Sequence, residues 1–226
     1  MSAPLDFARD GAAYFADVLP ANDLAALRDL ADRAVGARPG ARLRDVDVLV
    51  NVLATTGPVG ALAAHLTSAA AQPVRAVMFD KAPGANWAVA WHQDRTLPVV
   101  ERIEVAGFGP WSTKDGVLHV APPFEILARM VTLRIHLDPV DAANAPLRAA
   151  LGSHRLGRVA VSDVAAWAAE HMTIDCLARA GDVWAYATPI LHASARAEPP
   201  RRRRVLQVDF ADFDLPGGLS WIGLGA

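Results

Sequence analysis

The chain has 226 residues, of which 53% are hydrophobic and 20% charged, with a formal net charge of -2. That length and composition suit one well-buried core and argue against disorder. A balance so near neutral excludes the basic footprint of a nucleic-acid binder, and the arginine run at 201–204 is too short to change that. One cysteine, Cys176, precludes an intrachain disulfide and favours a reducing compartment. The first residues lack a basic segment leading into a long apolar one, and no apolar stretch approaches the ~18 residues of a membrane span. The expectation is a cytoplasmic protein with no membrane partner.

Taken in chain order, Leu24, Leu27, Leu30, Ala31 and Ala34 recur at helical spacing, which predicts a helix over 22–35. Pro20 and Asn22 or Asp23 are its start signals. Gly57-Pro58 opens a second helix, running to about residue 70, since proline is tolerated in a first turn. Residues 1–72 thus read as a helical N-terminal part. After Gln72-Pro73 the character changes to short β-rich runs separated by Pro and Gly. Strands are predicted over 74–79, 88–92, 131–137, 173–177, 182–186, 190–194 and 203–213. Many short strands with turn signals between them point to a sandwich or jelly roll. A helix over 163–170 takes Ser162 as its cap. Residues 97–125, rich in Gly, Pro and Trp, read as a lid-like loop, because loops of that length are often functional. With no repeat, low-complexity segment or linker, the expectation is a single domain over 1–226. It is mainly β with flanking helices, the N-terminal helices packing on a jelly-roll core at 73–226.

The segment Trp91-His92-Gln93-Asp94-Arg95 carries the chemistry. On a strand, residues i and i+2 share a face, so His92 and Asp94 bring an imidazole and a carboxylate to one point. Two histidines and one carboxylate make a facial triad that leaves open positions on iron(II). A bare His-x-Asp pair is common by chance, so the third ligand decides. Five histidines follow: His119, His136, His154, His171 and His192. His192 ends a β-like run, and Arg203 follows eleven residues later at the start of an apolar-alternating run over 205–210. A buried arginine there suits bidentate pairing with a carboxylate.

The segments FDKAPGANWAVAWHQDRT, LRIHLDPVDAANAPLRAALGSHRLGRV and PILHASARAEPPRRRRVLQVDF resemble the phytanoyl-CoA dioxygenase family of iron/2-oxoglutarate oxygenases. The run Asn144, Pro146, Leu147 into Gly152-Ser153-His154-Arg155 is similar to that family's NGPL…GSH segment, with Ala145 where the family usually has Gly. The likeness covers roughly residues 74–221. It implies a double-stranded β-helix core (jelly roll, cupin-like) and iron(II) held by His92, Asp94 and His192. It implies 2-oxoglutarate and dioxygen as co-substrates. Arg203 then pairs with the distal carboxylate of 2-oxoglutarate, assisted by Ser194. The implied reaction oxidises, foremost hydroxylates, a C–H bond of a small-molecule substrate and releases succinate and carbon dioxide. Halogenating relatives replace the carboxylate ligand; here Asp94 is present. A register slip of one residue would instead turn Arg202 and Arg204 inward.

Further candidates lie nearby. Thr132, Arg134 and His136 share one face of the 131–137 run; if that face is interior, Arg134 is a candidate for an acidic substrate or the co-substrate. Trp111 and His119 are candidate substrate-side residues of the lid-like loop. Gln93 alternates away from the metal face and reads as sheet support. His154, Trp91 and Trp184 read as structural, and His65 and His171 as helix-surface residues. Two competing readings are a cupin-like metalloprotein of another reaction class and a non-catalytic jelly-roll binding module; neither has a use for Arg203.

Overall fold

The computed structural model describes residues 4–36, 38–199 and 201–224. The chain begins with α1 (Phe7–Asp10), β1 (Ala12–Phe15), α2 (Ala21–Val35), β2 (Gly40–Leu43), α3 (Asp47–Leu53) and α4 (Pro58–Leu66). It continues with β3 (Gln72–Lys81), β4 (Val89–His92), β5 (Leu97–Pro98), β6 (Trp111–Lys114), β7 (Val117–Val120), α5 (Phe124–Ala128) and β8 (Val131–His136). Then come β9 (Leu147–Ala150), α6 (Val164–Glu170), β10 (Thr173–Asp175), β11 (Val183–Ala187), β12 (His192–Ser194) and β13 (Arg203–Ala211).

Two antiparallel sheets form the jelly-roll core. The larger has the order β1-β11-β8-β13-β3-β2, the smaller β10-β9-β12-β4. The period of two along β13 explains why this sheet has a wet and a dry face. Leu206, Val208 and Phe210 are fully buried in one cluster with Leu27, Leu30 and Ala31 of α2, Leu49, Val52 and Leu53 of α3, and Val59 and Ala63 of α4. Arg203, Val205, Gln207 and Asp209 alternate to the opposite face, toward the smaller sheet. Each leucine buried under the helices contributes about 2 kcal/mol. No single described helix is long and apolar enough to cross a membrane.

The N-terminal part is more than helical. β1 and β2 are edge strands of the large sheet, pairing with β11 and β3. At four residues each, they are too short to display an alternation of their own; the sheet edge supplies their hydrogen bonds. β1 is also pinned by buried Asp182, which accepts from Tyr14 Oη at 2.6 Å and from the Asp17 amide at 2.9 Å. α4 stops at Thr67, whose hydroxyl donates to the Ala63 carbonyl (2.9 Å), so the helix is shorter than the predicted run to 70. Ser162 does not cap α6; its hydroxyl donates to Asp163 Oδ1 instead.

The stretch 97–125 is not an open lid. It folds into a third sheet, β5-β7-β6, with α5 beginning at Phe124. Asp115 and Gly116, both at positive φ (49° and 76°), turn the β6–β7 hairpin. Asp-Gly between two short β-type runs is a strong hairpin signal. Trp111 lies half-buried in an apolar cluster with Leu97, Val99 and Val120.

Candidate metal centre

His192 on β12 sits directly opposite His92, the last residue of β4, in the antiparallel ladder. Their rings lie 4.2 Å apart and tilted. Asp94 follows β4 by two residues. One donor atom from each of His92, Asp94 and His192 lies within 4.8 Å of the others.

Both rings are oriented by their own strands. Nδ1 of His92 is 2.9 Å from the Ala90 carbonyl, and Nδ1 of His192 is 2.9 Å from the Ile190 carbonyl. A carbonyl only accepts, so each Nδ1 carries a proton and donates, which leaves Nε2 as the nitrogen that can meet a metal. Burial, with His92 adding to it, pushes His192 down to about 4, so it is neutral and ligand-ready at neutral pH. Burial works to raise the Asp94 carboxyl, but Arg75, His192 and His92 outweigh it and hold the group at about 2. Two imidazole nitrogens and one carboxylate at this separation fit a divalent first-row metal with open positions. Gln93 points away: its Nε2 donates to the Gly157 and Pro189 carbonyls and its Oε1 accepts from the Val159 amide, which ties the metal loop to its neighbours.

The three residues line one side of a cavity of about 670 Å³ between the two large sheets. Its far wall is cationic. Arg203 faces inward and is 4% exposed, with Nη1 donating to the Asn144 (3.3 Å) and Ala145 carbonyls. Arg204 turns to the other face and pairs with Asp138 and Asp32; Arg202 pairs with Asp80 and Asp32. The strand register therefore turns Arg203 and neither neighbour to the cavity. Lys81, opposite Arg203 in the ladder, is also 4% exposed, and its Nζ donates to Ser194 Oγ (3.2 Å) and the Ala195 carbonyl (2.9 Å). Arg134 joins them, its Nη1 donating to Gln207 Oε1 at 2.8 Å while its buried Nε has no partner among the described residues. None of these three cations meets a carboxylate among the described residues. Burial, then Arg203 and Arg134, pushes Lys81 down to about 8; burial and then Arg134 lower Arg203 to about 10. Three desolvated like charges around one space make this part of the cavity electropositive.

Val131, Leu133 and Ile135 pack under the helices, so Thr132, Arg134 and His136, also buried, face the smaller sheet. Only Arg134 of the three lines the cavity. Trp111 and His119 do not line it. His119 is fully buried in the small third sheet, its Nδ1 donating to the Val117 carbonyl, and it borders a separate small cavity. The lid expectation failed for both because hairpin pairing turned them into packed strand residues. Lys81 and Arg75 went unremarked in the sequence. Their only signal was charge on the inward-facing positions of an otherwise apolar strand, Arg75, Val77, Phe79 and Lys81.

Ala145 sits at φ 47°, ψ 64°, in the left-handed region where the family's usual glycine costs nothing. The substitution thus keeps the turn that presents the Ala145 carbonyl to Arg203.

In sequence, no curated protein matches the chain. Among solved structures, AviO1 from Streptomyces viridochromogenes Tue57 matches at 22% identity and TM-score 0.66, covering 96% of this chain and 99% of its own. The epimerase SnoN, in complex with Fe3+, alpha ketoglutarate and nogalamycin RO, matches at 18% identity and TM-score 0.65, covering 94% of this chain and 88% of its own. HygX from Streptomyces hygroscopicus, with nickel and 2-oxoglutarate bound, matches at 14% identity and TM-score 0.62, covering 91% and 84%. At such identities these likenesses establish the fold. The family is established separately, since the model for phytanoyl-CoA dioxygenase (PhyH) matches residues 7–205. The chain belongs to the phytanoyl-CoA dioxygenase family of non-haem iron, 2-oxoglutarate-dependent oxygenases.

Proposed function

We propose that this protein is an iron(II)/2-oxoglutarate-dependent dioxygenase that hydroxylates a C–H bond of a small-molecule substrate, releasing succinate and carbon dioxide. The observation that carries the reading is one cavity lined both by a His-Asp-His donor set and by buried Arg203, Lys81 and Ser194. In this reading His92, Asp94 and His192 hold the metal. Bound there, iron(II) with 2-oxoglutarate and dioxygen supplies the oxidising power for C–H cleavage. The carbonyls of Ala90 and Ile190 keep both imidazoles in the ligating tautomer. Arg203 pairs with the distal carboxylate of the keto acid, and Ser194 and Lys81 complete that end. Arg134, between the two ends of the cavity, neutralises a carboxylate of co-substrate or substrate. The apolar part of the wall, Val77, Phe79, Val89, Leu147 and Val205, keeps water from the reacting centre. No side chain acts as nucleophile or general base.

The test is turnover of a small-molecule panel with iron(II) and 2-oxoglutarate under labelled dioxygen. Hydroxylation leaves one labelled oxygen atom in the product and one in succinate. An unlabelled or desaturated product overturns the hydroxylation reading.

A further inference from the structure

Arg75 on β3 lines the same cavity beside the metal donors, and nothing in the reading above requires it. Its Nη2 donates to Asp94 Oδ2 at 3.0 Å. Its Nε also forms an ion pair with Asp209 Oδ2 at 2.5 Å. Asp209 stands directly opposite Arg75 in the β13–β3 ladder. Its other oxygen accepts from Thr132 Oγ1 at 2.9 Å, and Thr132 Oγ1 is 3.0 Å from Thr188 Oγ1. The guanidinium is therefore held between Asp94 and Asp209, and its side chain is 11% exposed.

Stability does not account for this arrangement. Three charged groups are withdrawn from water, and such buried ion pairs are often replaceable by well-packed apolar residues at no loss. What the arrangement does is to distinguish the two oxygens of Asp94. Oδ2 is engaged by a fixed cation; Oδ1 has no donor among the described residues. A metal that took both oxygens would share Oδ2 with the guanidinium, and freeing Oδ2 would break a buried charge-assisted bond.

Resting on the metal reading above, we infer that Arg75 is a positioning residue that holds Asp94 to the metal through Oδ1 alone. The three protein ligands then take three positions. A metal held this way would keep its other positions for the keto acid and dioxygen. Asp209, Thr132 and Thr188 keep Arg75 in place.

The experiment uses the whole protein loaded with cobalt(II), whose visible absorption reports coordination number, followed by calorimetric titration with 2-oxoglutarate. Wild type is compared with Arg75→Met/Asp209→Asn, which removes the guanidinium without leaving a buried carboxylate unpaired. In the double variant, Asp94 is free to bind through both oxygens. Cobalt then binds as tightly as in wild type or tighter, its spectrum differs, and the Kd for 2-oxoglutarate rises at least tenfold. A double variant with wild-type spectrum and wild-type Kd overturns the inference while leaving the metal reading intact. A wild-type protein that binds cobalt but not 2-oxoglutarate overturns the metal reading, and this inference with it. If circular dichroism shows the double variant unfolded, Arg75→Gln, which keeps an amide donor beside Asp209, is judged by the same thresholds.

Discussion

Arg203→Ala isolates the role of the cationic wall. Arg203 is almost wholly buried, meets two backbone carbonyls and no carboxylate among the described residues, and sits beside Lys81 and Arg134. Truncating one partner of a buried, hydrogen-bonded charge pair costs about 2–5 kcal/mol. Lys81 and Ser194 remain to hold a distal carboxylate, so the lower part of that range applies. About 2–3 kcal/mol corresponds to a ~30- to 150-fold rise in the Kd for 2-oxoglutarate. Folding stability moves far less. The two lost carbonyl bonds are worth about 1 kcal/mol each, offset by removal of a desolvated cation repelled by two neighbours. The assay is calorimetric titration of manganese-loaded protein with 2-oxoglutarate, beside a thermal melt. Arg204→Ala is the control, since it faces Asp138 and Asp32 on the other side. It leaves the Kd within ~2-fold and lowers stability by about 1–2 kcal/mol. Loss of keto-acid binding in Arg204→Ala with retention in Arg203→Ala would refute the register and the reasoning together.

Other expectations follow from the same geometry. His92→Ala loses tight metal binding, measured by equilibrium dialysis; stoichiometric iron in this variant contradicts the donor set. Lys81 titrates near 8 in the fold against an ordinary 10.5. Between those values the unfolded chain holds the extra proton, so stability of the ligand-free protein rises with pH across that window. A bound dianion favours charged Lys81, so affinity for 2-oxoglutarate falls as pH rises through 8, and calorimetry on Lys81→Met shows that dependence flattened. Ala145→Gly relieves the left-handed strain, worth about 1–2 kcal/mol, against about 0.5–1 kcal/mol of added chain entropy. Its denaturant midpoint stays level or rises slightly. Gly11→Ala does the opposite: at φ 72° its new Cβ would lie 2.2 Å from His154 Nδ1, so a loss well above 1 kcal/mol is expected in the same assay.

Legibility in the sequence followed the range of each signal. The period-two pattern of β13 is local, so the run from Arg203 was readable, but which of its arginines turns inward was left open by a possible one-residue slip and is fixed by the pairing with β3. The two-residue spacing of His92 and Asp94 was equally local. Arg75 and Asp209 were not readable as a pair, because only the β3–β13 register brings together residues far apart in sequence. Lys81 was missed for the same reason: its meaning comes from Arg203 across the ladder. β1 and β2 are edge strands whose identity comes from the sheet they join. The hairpin inside 97–125 was different. Its Asp115-Gly116 turn was visible, but the surrounding Gly, Pro and Trp content outweighed it, and Trp111 and His119 were assigned to a lid that folds as a sheet.

The central claim, one metal-and-keto-acid site formed by His92, Asp94 and His192, is tested most directly by anaerobic titration of the metal-free protein with iron(II) and 2-oxoglutarate. A weak visible charge-transfer band that needs both components, and that disappears in His192→Ala, is the expected result. A band that persists in His192→Ala, or no band in wild type alongside tight zinc or manganese binding, would contradict it.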